Sequence, residues 1–313
     1  MHKYLKNLTA TDFVVVLFYL FLTLLNIIFN ARIPEWKYLV IANFLICSLV
    51  FFLAYMASFP EKKIWKQIHY WYLAPLILLT FKELYLMVKP IRQKDYDEYL
   101  IQIDRWLFGT DPTVALYSIA NPILTEILQI VYASFYFLPI ILGIELMINK
   151  RYKAFDFALF SIVYGFYLSY LGYFTFPAIG PRFTLHDFYA INDELPGLWL
   201  TNFLREFVNW GESITSTMPN AAEHVQRDVF PSGHTQMTLI TMYLSVKFRA
   251  KTKCFLLPAG SALIFSTVYL RYHYVIDLIA GAAFMIFTML SGIKLYNYWQ
   301  KFVGKDYFEY NKV

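Results

Sequence analysis

Charge is scarce in this chain: of 313 residues only 16% are Asp, Glu, Lys or Arg, against about 25% in ordinary soluble domains. So little charge excludes a soluble globular protein. Cysteine is scarcer still, with two in all. Cys47 falls inside an apolar run and Cys254 follows a basic loop, so no disulfide framework, zinc site or redox chemistry is indicated. The 12 glycines and 13 prolines are too few for a collagen-like chain, and a hydrophobic content of 58% excludes a disordered one. What the chain has is apolar and aromatic surface, with Phe, Tyr and Trp at 20%.

That surface is arranged in runs close to the roughly 20 residues that cross a bilayer core. The first, Phe13 to Phe29, follows Lys3 and Lys6 without a small-residue cleavage site, which predicts an uncleaved span and not a signal peptide. Further runs lie near 38–59, 67–88, 122–148, 154–176, 232–248, 254–272 and 274–294. The expected fold is therefore all-α, a polytopic transmembrane bundle of about eight spans, with the N-terminal spans and an interfacial segment in 1–121 and a helix-bundle core in 122–313.

The net charge of +5 does not predict a nucleic-acid partner, because the basic residues sit in short clusters between apolar runs. These are Lys62, Lys63 and Lys66; Lys150, Arg151 and Lys153; Lys247, Arg249, Lys251 and Lys253; and Lys294, Lys301 and Lys305. With eight spans, all four clusters become cytoplasmic when both termini are cytoplasmic, which satisfies the positive-inside bias. The outer side then receives 30–37, 89–121 and the long loop 177–230. Trp199, Phe203, Leu204 and Phe207 recur at helical spacing in that loop and predict an interfacial helix. Asp95, Asp97, Glu98 and Asp104 are expected to form the solvated face of another, among Tyr96, Tyr99 and Trp106 and with no His to suggest a metal. His69 is expected at a membrane interface, and His186 and His224 in solvent.

Three segments carry chemistry: 176–182 (Phe-Pro-Ala-Ile-Gly-Pro-Arg), 230–234 (Phe-Pro-Ser-Gly-His) and 271–277 (Arg-Tyr-His-Tyr-Val-Ile-Asp). The expected topology puts all three at outer helix ends. Ser232 is a natural N-cap, Gly233 lets a ligand approach the backbone, and the free N–H groups of a helix start hold an anion of phosphate size. His234 then sits in the first turn, placed to donate a proton to a leaving oxygen. His273 and Asp277 share one face if both are helical, the carboxylate accepting from one ring nitrogen and freeing the other as nucleophile or base. Each segment alone is also explained as a helix start or a buried polar pair. Their convergence on one membrane face favours a site.

The run Pro231-Ser232-Gly233-His234, followed by Ser266-Thr267-x5-His273-x3-Asp277, resembles the type 2 phosphatidic acid phosphatase superfamily of membrane lipid-phosphate enzymes. The resemblance implies that His273 attacks phosphorus to form a phosphohistidine, that Asp277 orients it, and that His234 protonates the leaving group. Ser232 and Gly233 then belong to the phosphate cradle, and Arg182 matches the first-motif Arg. No metal or cofactor is implied. Two usual cations are missing, since the first-motif Lys position holds Thr175 and the third-motif Arg position holds Thr267, while Phe183 stands for the Pro after Arg182. Lys82, with Glu83 in an outer part of a span, is a candidate replacement for the first. It is otherwise a snorkelling partner of Glu83. Arg271, four residues after Thr267 on the expected helix, is a candidate for the second. The departures, with Asp104-Arg105-Trp106-Leu107-Phe108-Gly109, are similar to the inositol phosphorylceramide synthase branch.

The expected function is a membrane enzyme that cleaves a lipid phosphate ester at the outer face, with membrane lipids around it. Water as acceptor makes it a phosphatase, whereas a lipid or polyol hydroxyl makes it a phosphotransferase. The rival from another class is a transporter or structural membrane protein whose polar residues bind ions or pack helices. Repeated halves with polar groups at mid-membrane would mark a transporter, and neither is read here.

Overall fold

The computed structural model describes residues 5–310, and every regular element among them is helical. Chain order gives α1 Ala10–Ile28, α2 Trp36–Ala57, α3 Lys63–Trp71, α4 Leu73–Ile91, α5 Asp97–Phe108, α6 Pro122–Ala133, α7 Phe137–Ile148 and α8 Tyr152–Thr175. After a loop carrying α9 Thr201–Gly211 come α10 Gly233–Lys247, α11 Lys253–Tyr269 and α12 Val275–Phe302. Single helical turns at 112–115, 181–184, 191–194 and 221–224 and a 3-10 turn at 116–119 complete the connections.

By length and hydropathy α1, α2, the α3–α4 stretch, α8 and α12 are able to cross a membrane, and the bent pair α6–α7 makes a sixth. The chain is an integral membrane protein. The other two runs expected as spans form α10 and α11, of 15 and 17 residues, about 22 and 25 Å at 1.5 Å per residue. The run 122–148 is two helices bent by 54°. Pro139 lacks the N–H that an unbroken helix would donate to Phe135, so the chain restarts at Phe137.

α8 sits at the centre, packed on α1, α4, α7, α10 and α12. Its apolar residues run all round the helix, and Phe155, Phe157, Ala158 and Val163 are buried on different faces, as a helix without a solvent side requires. Phe18 of α1 stacks on Tyr167 at 4.2 Å. α1 and α2 instead expose Leu17, Leu24, Phe44 and Leu45, the apolar outer skin of a protein solvated by lipid.

Three polar pairings correct expectations from sequence. Glu83 accepts from Asn26 at 3.2 Å and Asn43 at 2.8 Å, not from Lys82. Adjacent helical residues point about 100° apart, so the two charges find separate partners. His69 is not interfacial but buried, 3.0 Å from Asp12, whose carboxylate also takes the Tyr72 hydroxyl and caps α1 through Thr9. Asp97 and Asp104 are buried as well, and their partners build the site.

The topology separates the two ends of the bundle. α8 ends, α10 begins, α11 ends and α12 begins at one end, together with α5 and α9. The basic clusters gather at the other, where Arg151 donates to the Phe248 carbonyl at 2.5 Å and Lys153 lies 3.7 Å from Asp306.

Candidate active site

At the start of α10, Ser232 is the N-cap, its Oγ accepting from Thr235 N at 3.2 Å, while its own N–H donates to the Asp277 carbonyl at 3.0 Å. These bonds stitch α10 to α12. A Cβ on Gly233 would stand 2.7 Å from the Tyr173 hydroxyl, so the glycine admits Tyr173 and the close approach is made within the protein.

α11 stops one turn earlier than expected. Arg271 takes φ +67°, and the N–H groups of Arg271 and Tyr272 return to the carbonyls of Val268 and Thr267, at 3.0 and 2.9 Å. This is the left-handed C-terminal cap usually given to glycine. His273 follows outside any helix, and α12 starts after Tyr274, whose backbone is extended and whose N–H donates to Asp277 Oδ2 at 2.8 Å. The expected pairing on one helix is therefore corrected. His273 precedes the helix and Asp277 lies in its first turn, yet His273 Nδ1 still comes within 3.4 Å of Asp277 Oδ2.

Two carboxylates expected to be solvated hold this junction. Asp104 accepts from the N–H groups of Val275 and Ile276, both at 2.8 Å, capping α12 by satisfying orphan donors with a negative charge at the positive helix end. Asp97 accepts from Ile179 N at 3.0 Å, Gly180 N at 2.8 Å and the Tyr274 hydroxyl at 2.8 Å. Burial pushes the pKa of both carboxyls up, and the N–H donors pull it back down. Gly180, at φ +94°, turns the chain so that Arg182 N reaches the Arg271 carbonyl at 3.1 Å. The three segments thus meet.

His273 Nε2 lies 3.4 Å from His234 Nδ1, the rings meeting edge to face with centroids 5.5 Å apart. His234 rests between Tyr132, at 4.7 Å, and Phe135 at the α6–α7 break, at 4.4 Å. Burial, the neighbouring His234 and Arg182 push the pKa of His273 well below the ordinary imidazole value, which keeps a lone pair available at neutral pH. The sign gives a prediction. Any activity that needs neutral His273 should keep its acid limb below pH 6.5. A pH–rate profile with an acid limb above that value would contradict this environment.

Arg182 is buried, bonded to Asn209 Oδ1 at 2.9 Å, ion-paired with Glu212 and stacked 5.0 Å over Tyr272. Lys82 reaches the same region from α4, donating to the carbonyls of Trp210 and Gly211 and to Ser213 Oγ. Arg271 points elsewhere, pairing with Glu194 and lying 5.7 Å from the Tyr117 ring. The sequence reading missed Glu212 and Asp228. Asp228 is within electrostatic reach of Glu212, Arg182 and Lys82, and burial pushes the pKa of both acids up. The available signal was position, since Asp228 stands four residues before Ser232.

In the outer loop, α9 bears out the helical spacing, exposing Trp199 just before it, then Phe203, Phe207 and Trp210. His224 is exposed, but His186 is not merely solvated. It bonds Thr113 Oγ1 at 2.9 Å, and burial and Arg271 bring its pKa down to about 4.

A family model described as the PAP2 superfamily matches residues 98–291, more than half of the chain. A PA-phosphatase related-family protein of Dictyostelium discoideum is 27% identical over 186 residues, covering 54% of this chain. The match spans 32% of that relative's length. No solved structure matches the chain.

Proposed function

Because the chain belongs to the PAP2 superfamily, we propose that it is a membrane-embedded enzyme that breaks a phosphate ester of a lipid through a phosphohistidine on His273. The observation that carries this reading is the contact chain Asp277–His273–His234, with 3.4 Å at each step. Asp277 faces Nδ1 at 3.4 Å, and Nε2 points toward the ring that would serve as proton donor. In-line displacement sets the attacking nitrogen and the leaving oxygen on opposite sides of phosphorus. A contact of 3.4 Å leaves no room between the rings, so binding separates them, His234 following the leaving oxygen.

Arg182, the Gly233 N–H at the start of α10 and the Ser232 hydroxyl are the donors for the equatorial oxygens, with Lys82 in place of the cation missing at Thr175. Arg271 serves the phosphate only by exchanging its Glu194 partner. Basic clusters gathered at the opposite end of the bundle support cytoplasmic termini and an extracytoplasmic site. The second step, attack by water or by an alcohol of a lipid or polyol, decides between phosphatase and phosphotransferase.

The reading is tested with purified full-length protein in lipid-detergent micelles containing phosphatidic acid, with and without an added alcohol. The expected result is inorganic phosphate in water, part of it diverted to a phosphorylated alcohol when an acceptor is used. Absence of both products across lipid phosphates would contradict the reading.

A further inference from the structure

Arg182 and Lys82, the two cations assigned above to the phosphate, both end on one short stretch of chain. Arg182 donates to Asn209 Oδ1 at 2.9 Å and pairs with Glu212. Lys82 donates to the carbonyls of Trp210 and Gly211, at 3.2 and 2.6 Å, and to Ser213 Oγ at 2.9 Å. Residues 209–213 are the end of α9 and the chain that leaves it, so the position of α9 sets the position of both charges.

α9 is held at its two ends by charges from helices that build the membrane bundle. Glu126 of α6 accepts from the N–H groups of Leu198, Leu200 and Thr201, at 2.8, 2.7 and 3.3 Å, and from the Thr201 hydroxyl at 2.6 Å. A negative charge thus stands at the positive end of the helix, and Lys82 of α4 stands at the negative end. Between the anchors Thr201, Arg205 and Asn209 are buried on the inner face. Trp199, Phe203, Phe207 and Trp210 are 57 to 85% exposed on the other. At about 100° per residue Phe203, Phe207 and Trp210 fall within an arc of about 60° that contains neither Arg205 nor Glu206. Phe207 also lines an apolar cleft with Leu78 of α4 and Phe137 of α7, both exposed like the rest of the lipid-facing skin. The aromatic stripe therefore continues that skin.

We propose that α9 docks this stripe in the headgroup–hydrocarbon boundary of the leaflet on the site's side, and that the docking positions Arg182 and Lys82, so that the site is complete only on a lipid surface. The docking follows from the helix and its anchors, whereas its effect on turnover rests on the lipid-phosphate reading above. An aromatic face with Trp at its ends suits that boundary. The stripe carries no cation, so an uncharged leaflet suffices. Held in lipid, the stripe presses α9 onto Glu126 and Lys82. Withdrawn from lipid it loses its apolar partner, and the end of α9 carries Asn209 and Glu212, with Arg182, away from the phosphate position.

The test uses full-length protein in phosphatidylcholine vesicles, with Cys47→Ser and Cys254→Ser as background and a nitroxide attached through Phe203→Cys, Phe207→Cys or Asn202→Cys. Asn202 is next to Phe203 in sequence but lines a polar cavity with Arg182. Labels at positions 203 and 207 should be relaxed more by oxygen than by a water-soluble nickel chelate, and the label at 202 the reverse. Without labels, Phe203→Ser with Phe207→Ser should lower kcat/KM for phosphatidic acid in the same vesicles by about tenfold or more, the scale of a donor displaced and not deleted. Phe203→Leu with Phe207→Leu keeps the face apolar and should retain kcat/KM, and both pairs should keep the thermal midpoint. Adding phosphatidylglycerol should change neither reading. Labels at 203 and 207 reached by the nickel chelate, or shielded from both reagents as a second copy of the chain would shield them, overturn the proposal, and so does a serine pair with wild-type kcat/KM. Absence of both hydrolysis and transfer by the wild type, with the labels still in lipid, would instead overturn the lipid-phosphate reading, so the two failures are distinguishable.

Discussion

His273→Ala is expected to lower turnover on the order of 10⁴-fold or more, because no neighbouring group can take its place as nucleophile. Asp277 is engaged with Tyr274 N and lies 3.4 Å from His273, and His234, 3.4 Å from His273, is assigned the proton transfer in the proposed reaction. The backbone around His273 is held by Thr267, Asp104 and Asp97, not by its imidazole, so the variant should fold and bind lipid. Turnover per folded protein, checked against the thermal midpoint, separates lost chemistry from lost structure. Near-normal turnover would remove His273 from the reaction.

Arg182→Ala should cost about 10²- to 10³-fold in kcat/KM, the usual loss when one preorganised donor to a developing oxyanion is removed. Stability should fall too, because Glu212 and Asn209 lose their partner in a buried setting. Arg182→Lys should recover only part of the activity. An ammonium on a shorter stem does not reproduce the planar fork that reaches Asn209 with one nitrogen and leaves the others for a phosphate oxygen. A retained kcat/KM in Arg182→Ala, measured on the folded fraction, would leave the equatorial oxygens to Lys82 and the α10 backbone alone.

The parts of this molecule legible in the sequence were those whose causes are local. Ser232 caps α10 because an oxygen before a free N–H needs only three residues of context, and the α9 stripe of Phe203 and Phe207 shows at helical period. The His-x3-Asp spacing pointed to two side chains that do come together, at 3.4 Å, for a reason that proved different. The expected continuous helix is broken by the left-handed cap at Arg271, and the two side chains meet across a helix start. What was hidden depended on partners far along the chain. Asp104 reads as surface charge until Val275 and Ile276, some 170 residues later, are seen to donate to it. Asp97, Asp12 with His69, and Glu212 with Arg182 were hidden in the same way, since a scarce charge in an apolar protein is buried wherever a distant donor satisfies it. The bend between α6 and α7 was written in Pro139, but the unbroken apolar run around it obscured the restart.

The account turns on a covalent bond between phosphorus and His273, and trapping that intermediate tests it most directly. Protein incubated with a ³²P-labelled lipid substrate and quenched in alkali should retain label that is stable to base and released by acid, with the label mapping to a peptide containing His273. His234→Ala, given a substrate whose leaving group departs without a proton, should accumulate more label than the wild type, and His273→Ala should carry none. Label retained by His273→Ala, or turnover by the wild type with no acid-labile label under rapid quench, would contradict it.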